Sequence, residues 1–343
     1  MSERIKNVVA SVCVPTYDRP ELLRRCIERI DMQAAFPQAF EVVVVDNSED
    51  RSAIVTVQTL CATSRHPIRY VSEPTHNISL ARNRAVAVSR GAYVAFVDDD
   101  ELPGKDWLGT LLETLNSFQA DGVLGPVEPE FEVVPPRWLI ESGLSVRERF
   151  STGTALTAPL FMRTGNVLFR REVFDAMTSP FDPRFGRSGG EDSAFFEQAL
   201  KRGFRFVWCD EAPVFEWVPR ERQTVGYHVR RAIIRGVTAS KREPLIGFRT
   251  LKSLFAVPSY AIALPVLFVA RRHIAIRYMV KLCDHVSKLL AHAGIRVIHD
   301  RNAMTGHGRP LRDSGTLSDW NRGAGERPHG CQRHIRERGC WRL

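Results

Sequence analysis

Oxygen-bearing side chains follow three apolar stretches of this 343-residue chain: Pro15-Thr16-Tyr17 after residues 8–14, Asp46-Asn47 after 40–45, and Asp98-Asp99-Asp100-Glu101 after 92–97. A further carboxylate pair, Glu191-Asp192, follows Gly189-Gly190. Clustered carboxylates can hold a hard divalent cation, which takes oxygen ligands and bridges phosphate oxygens while keeping some waters. A carboxylate beside a hydroxyl can take its proton as that hydroxyl attacks. One acidic loop alone is more often a solvated turn, and Glu191-Asp192 alone is as well explained as a helix N-terminal pair favoured by the macrodipole. Three such loops at one sheet edge point to a polar ligand carrying a diphosphate. No GxxxxGK[ST] or GxGxxG is present, which disfavours a P-loop kinase or a dinucleotide dehydrogenase.

The elements that must position these residues read as alternating strands and helices. Residues 8–14 form an apolar strand, and 21–32 show helical spacing of Leu22, Leu23, Cys26 and Ile30. The run FEVVVV at 40–45 has the continuous β-branched character of a strand buried on both faces. Further strands are expected at 68–71, 92–97, 122–127 and 204–208, and helices at 79–90, 107–118, 171–177 and 191–203. Residues 129–164 are expected to be irregular, because Pro135-Pro136 breaks regular structure. Alternation of this kind implies βαβ units and a mostly parallel sheet, and ligands of such sheets sit beyond the strands' carboxyl ends.

The quoted runs resemble, in order and spacing, family 2 glycosyltransferases of the GT-A fold, and among them the succinoglycan-type exopolysaccharide transferases. The resemblance covers roughly residues 8–222. It rests on VCVPTYDRPELL, VVVVDNSED, EPTHNISLARNRAV, AFVDDDELP, TGNVLFRR and FGRSGGEDSAFF. It implies a Rossmann-like α/β domain whose mostly parallel sheet is flanked by helices, with Pro15, Thr16 and Tyr17 against the nucleoside and Asp46 on the base edge. Arg82 and Asn83 are similar to positions that approach the nucleotide or its phosphates. Asp98, Asp99 and Asp100 resemble the DxD motif, with Asp98 towards ribose or metal, Asp100 as the firmest ligand of Mn²⁺ or Mg²⁺, and Glu101 as a possible helper. The ED pair implies Asp192 as catalytic base and Glu191 as an acceptor-orienting carboxylate. Where many relatives carry a His after the late strand, this chain has Glu216; His228 is a candidate substitute, and Arg222 and Gln223 fall where a phosphate-contacting loop would lie.

Charge divides the chain. Residues 1–226 carry 26 Lys+Arg against 32 Asp+Glu, residues 227–299 carry 13 against 2, and the tail from 300 carries 9 against 5. A nucleic-acid binder would add stacking aromatics to such a basic end on a recognisable module, and none is seen. The basic block instead surrounds an uncharged stretch at 254–270, roughly 25 Å long as a helix and interrupted by Pro258 and Pro265. It reads as a re-entrant or interfacial helix pair on an anionic membrane or as a single short span, or else as a buried core helix. Seven scattered cysteines and an N-terminus without a signal-peptide pattern suggest a cytosolic catalytic part.

The resulting division is a GT-A domain at 1–226, a basic, apolar helical membrane-associated segment at 227–299, and a disordered tail at 300–343. The expected activity is inverting transfer from a nucleotide-diphosphate sugar to a glycan or lipid-linked acceptor at the cytoplasmic face of the inner membrane. A nucleotidyltransferase and a non-catalytic nucleotide-sugar binding module are the alternatives.

Overall fold

The computed structural model describes residues 8–33, 36, 38–242 and 244–295; the tail at 300–343 and the last residues of the basic segment lie outside these. The first half alternates strictly: β1 (Ala10–Thr16), α1 (Pro20–Asp31), β2 (Phe40–Asp46), α2 (Ile54–Cys61), β3 (Ile68–Ser72), α3 (Ile78–Val88) and β4 (Tyr93–Val97). Every residue of β1 and β2 is buried, as a β-branched run covered on two faces requires. They pair in parallel with Thr16 opposite Asp46, and Asp46 opposite Ser72, so three strands stop at one edge. β4 joins β1 on the other side.

Gly91 makes that last pairing possible, since a Cβ there would stand 2.6 Å from main-chain atoms of Ala10 and Ser11. Main chain inside a sheet cannot move aside as a flexible side chain can. Gly91→Ala is therefore expected to destabilise by about 1–3 kcal/mol, the usual scale of overpacking. The check is thermal unfolding, in which a melting temperature equal to the parent's would show that the strand end adapts.

The second half breaks the parallel pattern. β5 (Glu101–Pro103), α4 (Trp107–Ser117), β6 (Gly122–Leu124), β7 (Val127–Phe131), α5 (Arg137–Ser142) and β8 (Ala155–Leu156) lead to β9 (Asn166–Arg170), which runs antiparallel to both β4 and β6. After α6 (Glu172–Asp175) come α7 (Glu191–Lys201), β10 (Phe206–Trp208) and β11 (Val214–Val218). The eight-stranded sheet has the order β3-β2-β1-β4-β9-β6-β10-β8, and a three-stranded sheet the order β5-β11-β7. The irregular reading of 129–164 is thus corrected. Pro129 lies in β7, an edge strand of the small sheet, where a missing N–H is tolerated. Pro136 is the N-cap of α5, outside the stretch that needs N–H donors. Glu101, read as part of an acidic loop, opens β5.

An aromatic wedge locks α7 to the large sheet: Phe195 lies 4.7 Å from Phe181 and 5.4 Å from Phe169 of β9, and Phe196 5.3 Å from Phe206. The chain then forms α8 (Val225–Arg242), α9 (Phe248–Ala270) and α10 (Arg272–His292). A Cβ on Gly236 of α8 would lie 2.1 Å from Ser287 Oγ, so α8 and α10 cross closely. Thr238 Oγ1 donates to the Ser188 carbonyl at 2.7 Å, and His273 Nδ1 stands 3.3 Å from Glu141 of α5. Residue 226 is therefore no gap between separate bodies, for both sides belong to one compact unit. The expectation of a buried core helix at 254–270 does not hold. Pro258 and Pro265 lie inside one 23-residue helix, not between two, and only 6% of Thr250–Ala270 is buried.

Candidate active site

The strand edge where β1, β2 and β3 stop collects the acidic run that follows β4. Asp99 accepts from Thr16 Oγ1 at 2.8 Å and from Arg19 Nη1 at 3.1 Å. Asp100 accepts from Arg19 Nη1 and Arg222 Nη1, each at 3.1 Å, while its carbonyl takes the Trp217 N–H at 2.8 Å, tying the run to β11. Burial pushes the Asp99 carboxyl up to about 6 against the opposing pull of Arg19. For Asp100, burial acts in the same direction, but Arg19 and Arg222 together outweigh it and hold the carboxyl below its ordinary value. Behind them, burial and then Asp98 push Glu101 well above the usual carboxylate range.

Asp98 is the more open member, its side chain 38% exposed, and it reaches Arg82. Its Oδ1 lies 3.4 Å from Arg82 Nη2, while Nη1 of the same guanidinium donates to Glu191 Oε1 at 2.9 Å and Asp192 Oδ1 at 2.8 Å. Arg82 is buried; that burial disfavours its charge, but Asp192, Asp98 and Glu191 outweigh it and raise its affinity for the proton. Asp192 Oδ1 also accepts from Thr164 Oγ1 at 2.6 Å. Thr164 arrives here because β9 is antiparallel: Asn166 pairs with Val97, so the start of β9 meets the end of β4.

The loop before α7 is held by the start of α3. Asn77 caps α3 by accepting from the Ser79 and Leu80 N–H groups, and its Nδ2 donates to the Pro183 carbonyl at 2.9 Å. Ser79 Oγ donates to the Asp182 carbonyl at 2.9 Å. Gly186 must be glycine at this junction, since a Cβ would fall 1.7 Å from Asn77 Oδ1. Gly189 and Gly190 then take φ values of 86° and 98°, conformations that favour glycine, and turn the chain into α7 with Glu191 and Asp192 in its first turn.

The structure brings Thr16, Arg82, Asp98, Asp99, Asp100, Glu191 and Asp192 together through these contacts. Pro15 is buried in β1, and Tyr17 beyond it stacks on His76 with centroids 4.1 Å apart. Two of the expected residues bond within the protein itself. Asp46, expected on a base edge, is fully buried and turned into its own loop, where Oδ1 accepts from the Ser48 N–H and hydroxyl and Oδ2 from the Ala53 N–H and the Tyr70 hydroxyl. Four donors fill its acceptor positions. Asn83, expected near the nucleotide, exchanges hydrogen bonds with the main chain of Phe181 and fastens α3 to that segment.

His228 packs edge-on against Trp138 of α5, and burial, with Arg231 and Arg235, pushes it down to about 4. Glu216 pairs with Arg147 and lies 3.5 Å from Arg222, whose neighbour Gln223 is buried and bonds the Val218 carbonyl. Arg19, Arg147 and Thr164 were not singled out from the sequence; Arg19 alone had a local signal, a cation three residues past the end of β1.

Among the described residues no group of three or more His, Cys, Asp or Glu is arranged to hold a metal ion. The donor set still suits Mg²⁺ or Mn²⁺, which bind through one or two carboxylates plus substrate phosphates, and Asp98 and Asp100 offer such oxygens.

Residues 11–178 match the family described as "Glycosyl transferase family 2", a span that includes Asp98–Asp100 and ends before Glu191. The chain is 34% identical over 241 residues to the succinoglycan biosynthesis protein ExoM of Rhizobium meliloti, covering 69% of this chain and 75% of that protein. It is 30% identical over 254 residues to the glycosyltransferase AglE of Haloferax volcanii, covering 69% and 80%. Among solved structures it is similar to the mannosyltransferase PcManGT of Pyrobaculum calidifontis in complex with GDP-Man and Mn²⁺, with a TM-score of 0.57, 20% identity and coverage of 84% and 87%, a likeness of GT-A fold.

Proposed function

Because the chain belongs to glycosyl transferase family 2, we propose that it performs inverting transfer of a sugar from a nucleotide-diphosphate sugar to a glycan or lipid-linked acceptor in surface exopolysaccharide biosynthesis. The Arg82 junction carries this reading: one guanidinium holds Asp98, on the side of the acidic run, and Asp192, on the opposite wall. A cleft with a donor wall and an acceptor wall needs such a geometry. The similarity to a succinoglycan biosynthesis protein supports the polysaccharide product class.

In this reading Thr16 and Tyr17, the latter backed by His76, face the nucleoside. Arg19 and Arg222 turn from Asp99 and Asp100 onto diphosphate oxygens, to which a guanidinium is suited as a forked donor. Asp98 and Asp100 would hold Mg²⁺ or Mn²⁺, which would supply positive charge for the leaving diphosphate. Asp192 takes the acceptor's hydroxyl proton as the new bond to the anomeric carbon forms. The bond from that carbon to the diphosphate oxygen breaks at the same time, and the nucleoside diphosphate departs with the electron pair. Attack opposite the leaving group inverts the anomeric centre. The test is a panel of UDP-, GDP- and dTDP-sugars with Mn²⁺ or Mg²⁺. One of them should raise the melting temperature and, with acceptor, release its nucleoside diphosphate; stabilisation by none would overturn the reading.

The same reading puts the protein on an anionic membrane surface at the cytoplasmic face. Leu254, Phe255, Ile262, Val266, Phe268 and Val269 of α9 are exposed, and Lys252, Arg271 and Arg272 flank them. Each basic residue near anionic lipid contributes about 1 kcal/mol, and apolar burial adds to that. The full-length protein is expected to float with phosphatidylglycerol-rich vesicles, and Val266→Asp with Val269→Asp to leave most of it in the soluble fraction. Full-length protein that stays soluble at low salt without vesicles or detergent, and does not float with them, removes the membrane from the proposal.

A further inference from the structure

Resting on Asp192 as the base, we propose that Thr164 is a positioning residue, which together with Arg82 commits Asp192 Oδ1 to hydrogen bonding and leaves Oδ2 as the oxygen that receives the acceptor's proton. Both observed donors to Asp192 converge on one oxygen: Arg82 Nη1 at 2.8 Å and Thr164 Oγ1 at 2.6 Å. Among the described residues no donor reaches Oδ2. A carboxylate free to spin about its last torsion would offer either oxygen in many orientations, since that torsion is broad. Two donors on one oxygen, from different elements, stop the rotation and fix where the second oxygen points. Proton transfer needs the base within about 2.6–3.2 Å of the hydroxyl, so a fixed direction contributes directly to turnover.

The two donors are themselves immobile. Thr164 is fully buried two residues before β9 begins, and Arg82 is spanned between Asp98 and Glu191. The Arg82 guanidinium therefore also ties the direction of the base to Asp98 on the donor wall. Thr164 contributes only the hydroxyl. It has no other hydrogen bond among the described residues, which separates its role from that of Arg82.

In the reaction this places the acceptor's O–H on the Oδ2 side. The proton passes to Oδ2, the acceptor oxygen bonds the anomeric carbon, and the nucleoside diphosphate leaves with the electrons of the broken bond. The Oδ1 contacts persist throughout.

Thr164→Val has nearly the same shape and lacks the hydroxyl, so it tests the proposal in the full-length protein with the donor and acceptor that support turnover. The expected result is a fall in kcat on the order of tenfold to a hundredfold, with donor KM and metal-dependent donor stabilisation unchanged. Thr164→Ser, which restores the donor, should recover most of the loss. Equal losses in the Val and Ser variants, or a Val variant that changes donor KM as much as kcat, would show a packing role and overturn it. If the Val variant melts below the assay temperature, Thr164→Ala takes its place as the variant without a hydroxyl, and Thr164→Cys, of similar size and weaker as a donor, should show a loss between those of Ser and Ala. Asp192→Asn separates the two levels: an active Asn variant defeats the base assignment itself, whereas an inactive Asn variant beside a fully active Thr164→Val defeats only the positioning role.

Discussion

Asp192→Asn is expected to lower sugar transfer by about 10²–10⁴-fold, the usual contribution of a positioned general base, with donor affinity nearly unchanged. The amide keeps the shape of the carboxylate and can still accept from Arg82 and Thr164 through its oxygen, so α7 and its loop should stay in place. It cannot take a proton. Donor affinity should hold because Asp192 bonds Arg82 and Thr164, whereas Asp99 and Asp100 pair with Arg19 and, for Asp100, Arg222. Glu191→Gln is the matched comparison. Glu191 is buried and bonded to the same guanidinium, so its loss should act more on folding and on the placement of Arg82 than on the proton. If Glu191→Gln slows turnover more than Asp192→Asn does, the roles are exchanged; if neither slows it, the base lies elsewhere.

Asp100→Asn is expected to abolish metal-dependent donor binding while the protein remains folded. Asp100 is held below its ordinary protonation range although it is buried, because Arg19 and Arg222 outweigh burial, so the carboxylate keeps its charge where a cation would need it. Isothermal titration with the stabilising nucleotide-sugar, with and without Mn²⁺, measures the effect. Without metal the same variant should bind a nucleoside diphosphate no worse than the parent, since Arg19 and Arg222 lose one carboxylate competitor for phosphate oxygens. Manganese-dependent affinity equal to the parent's would remove Asp100 from the metal site and leave Asp98, the more exposed carboxylate, as the ligand to test next.

Much of the fold was legible because its signals are local. FEVVVV has the continuous β-branched character of a strand buried on two faces, the spacing of 21–32 is that of a helix with one apolar face, and their alternation implies parallel pairing with the polar loops at one edge. The acidic run after β4 and the glycine-preceded pair before α7 were visible for the same reason: residue type and position relative to an element's end are properties of short windows. The basic, apolar character of 227–299 was equally plain, being composition.

What tertiary structure decided are facts of pairing and direction. Thr164 could not be found from its neighbours, because only the antiparallel run of β9 beside β4 carries it to Asp192. Arg82, similar to positions that approach the nucleotide or its phosphates, meets Glu191 and Asp192 only because the loop of 182–190, docked on Asn77 and Ser79, delivers them to its guanidinium. Asp46 lies at the expected strand end, yet its carboxylate turns inward, because Tyr70 from β3 and the Ala53 N–H supply donors that no window around Asp46 predicts. Pro129 fits in a strand only because β7 is an edge, and the exposure of the helix of 248–270 is a fact of packing that its composition does not show. By itself the sequence determined which elements form and which end of each carries oxygen. Which oxygens meet, and which are consumed by structure, depended on contacts between residues tens of positions apart, where the energy of a hydrogen bond is set by geometry and burial that no local window contains.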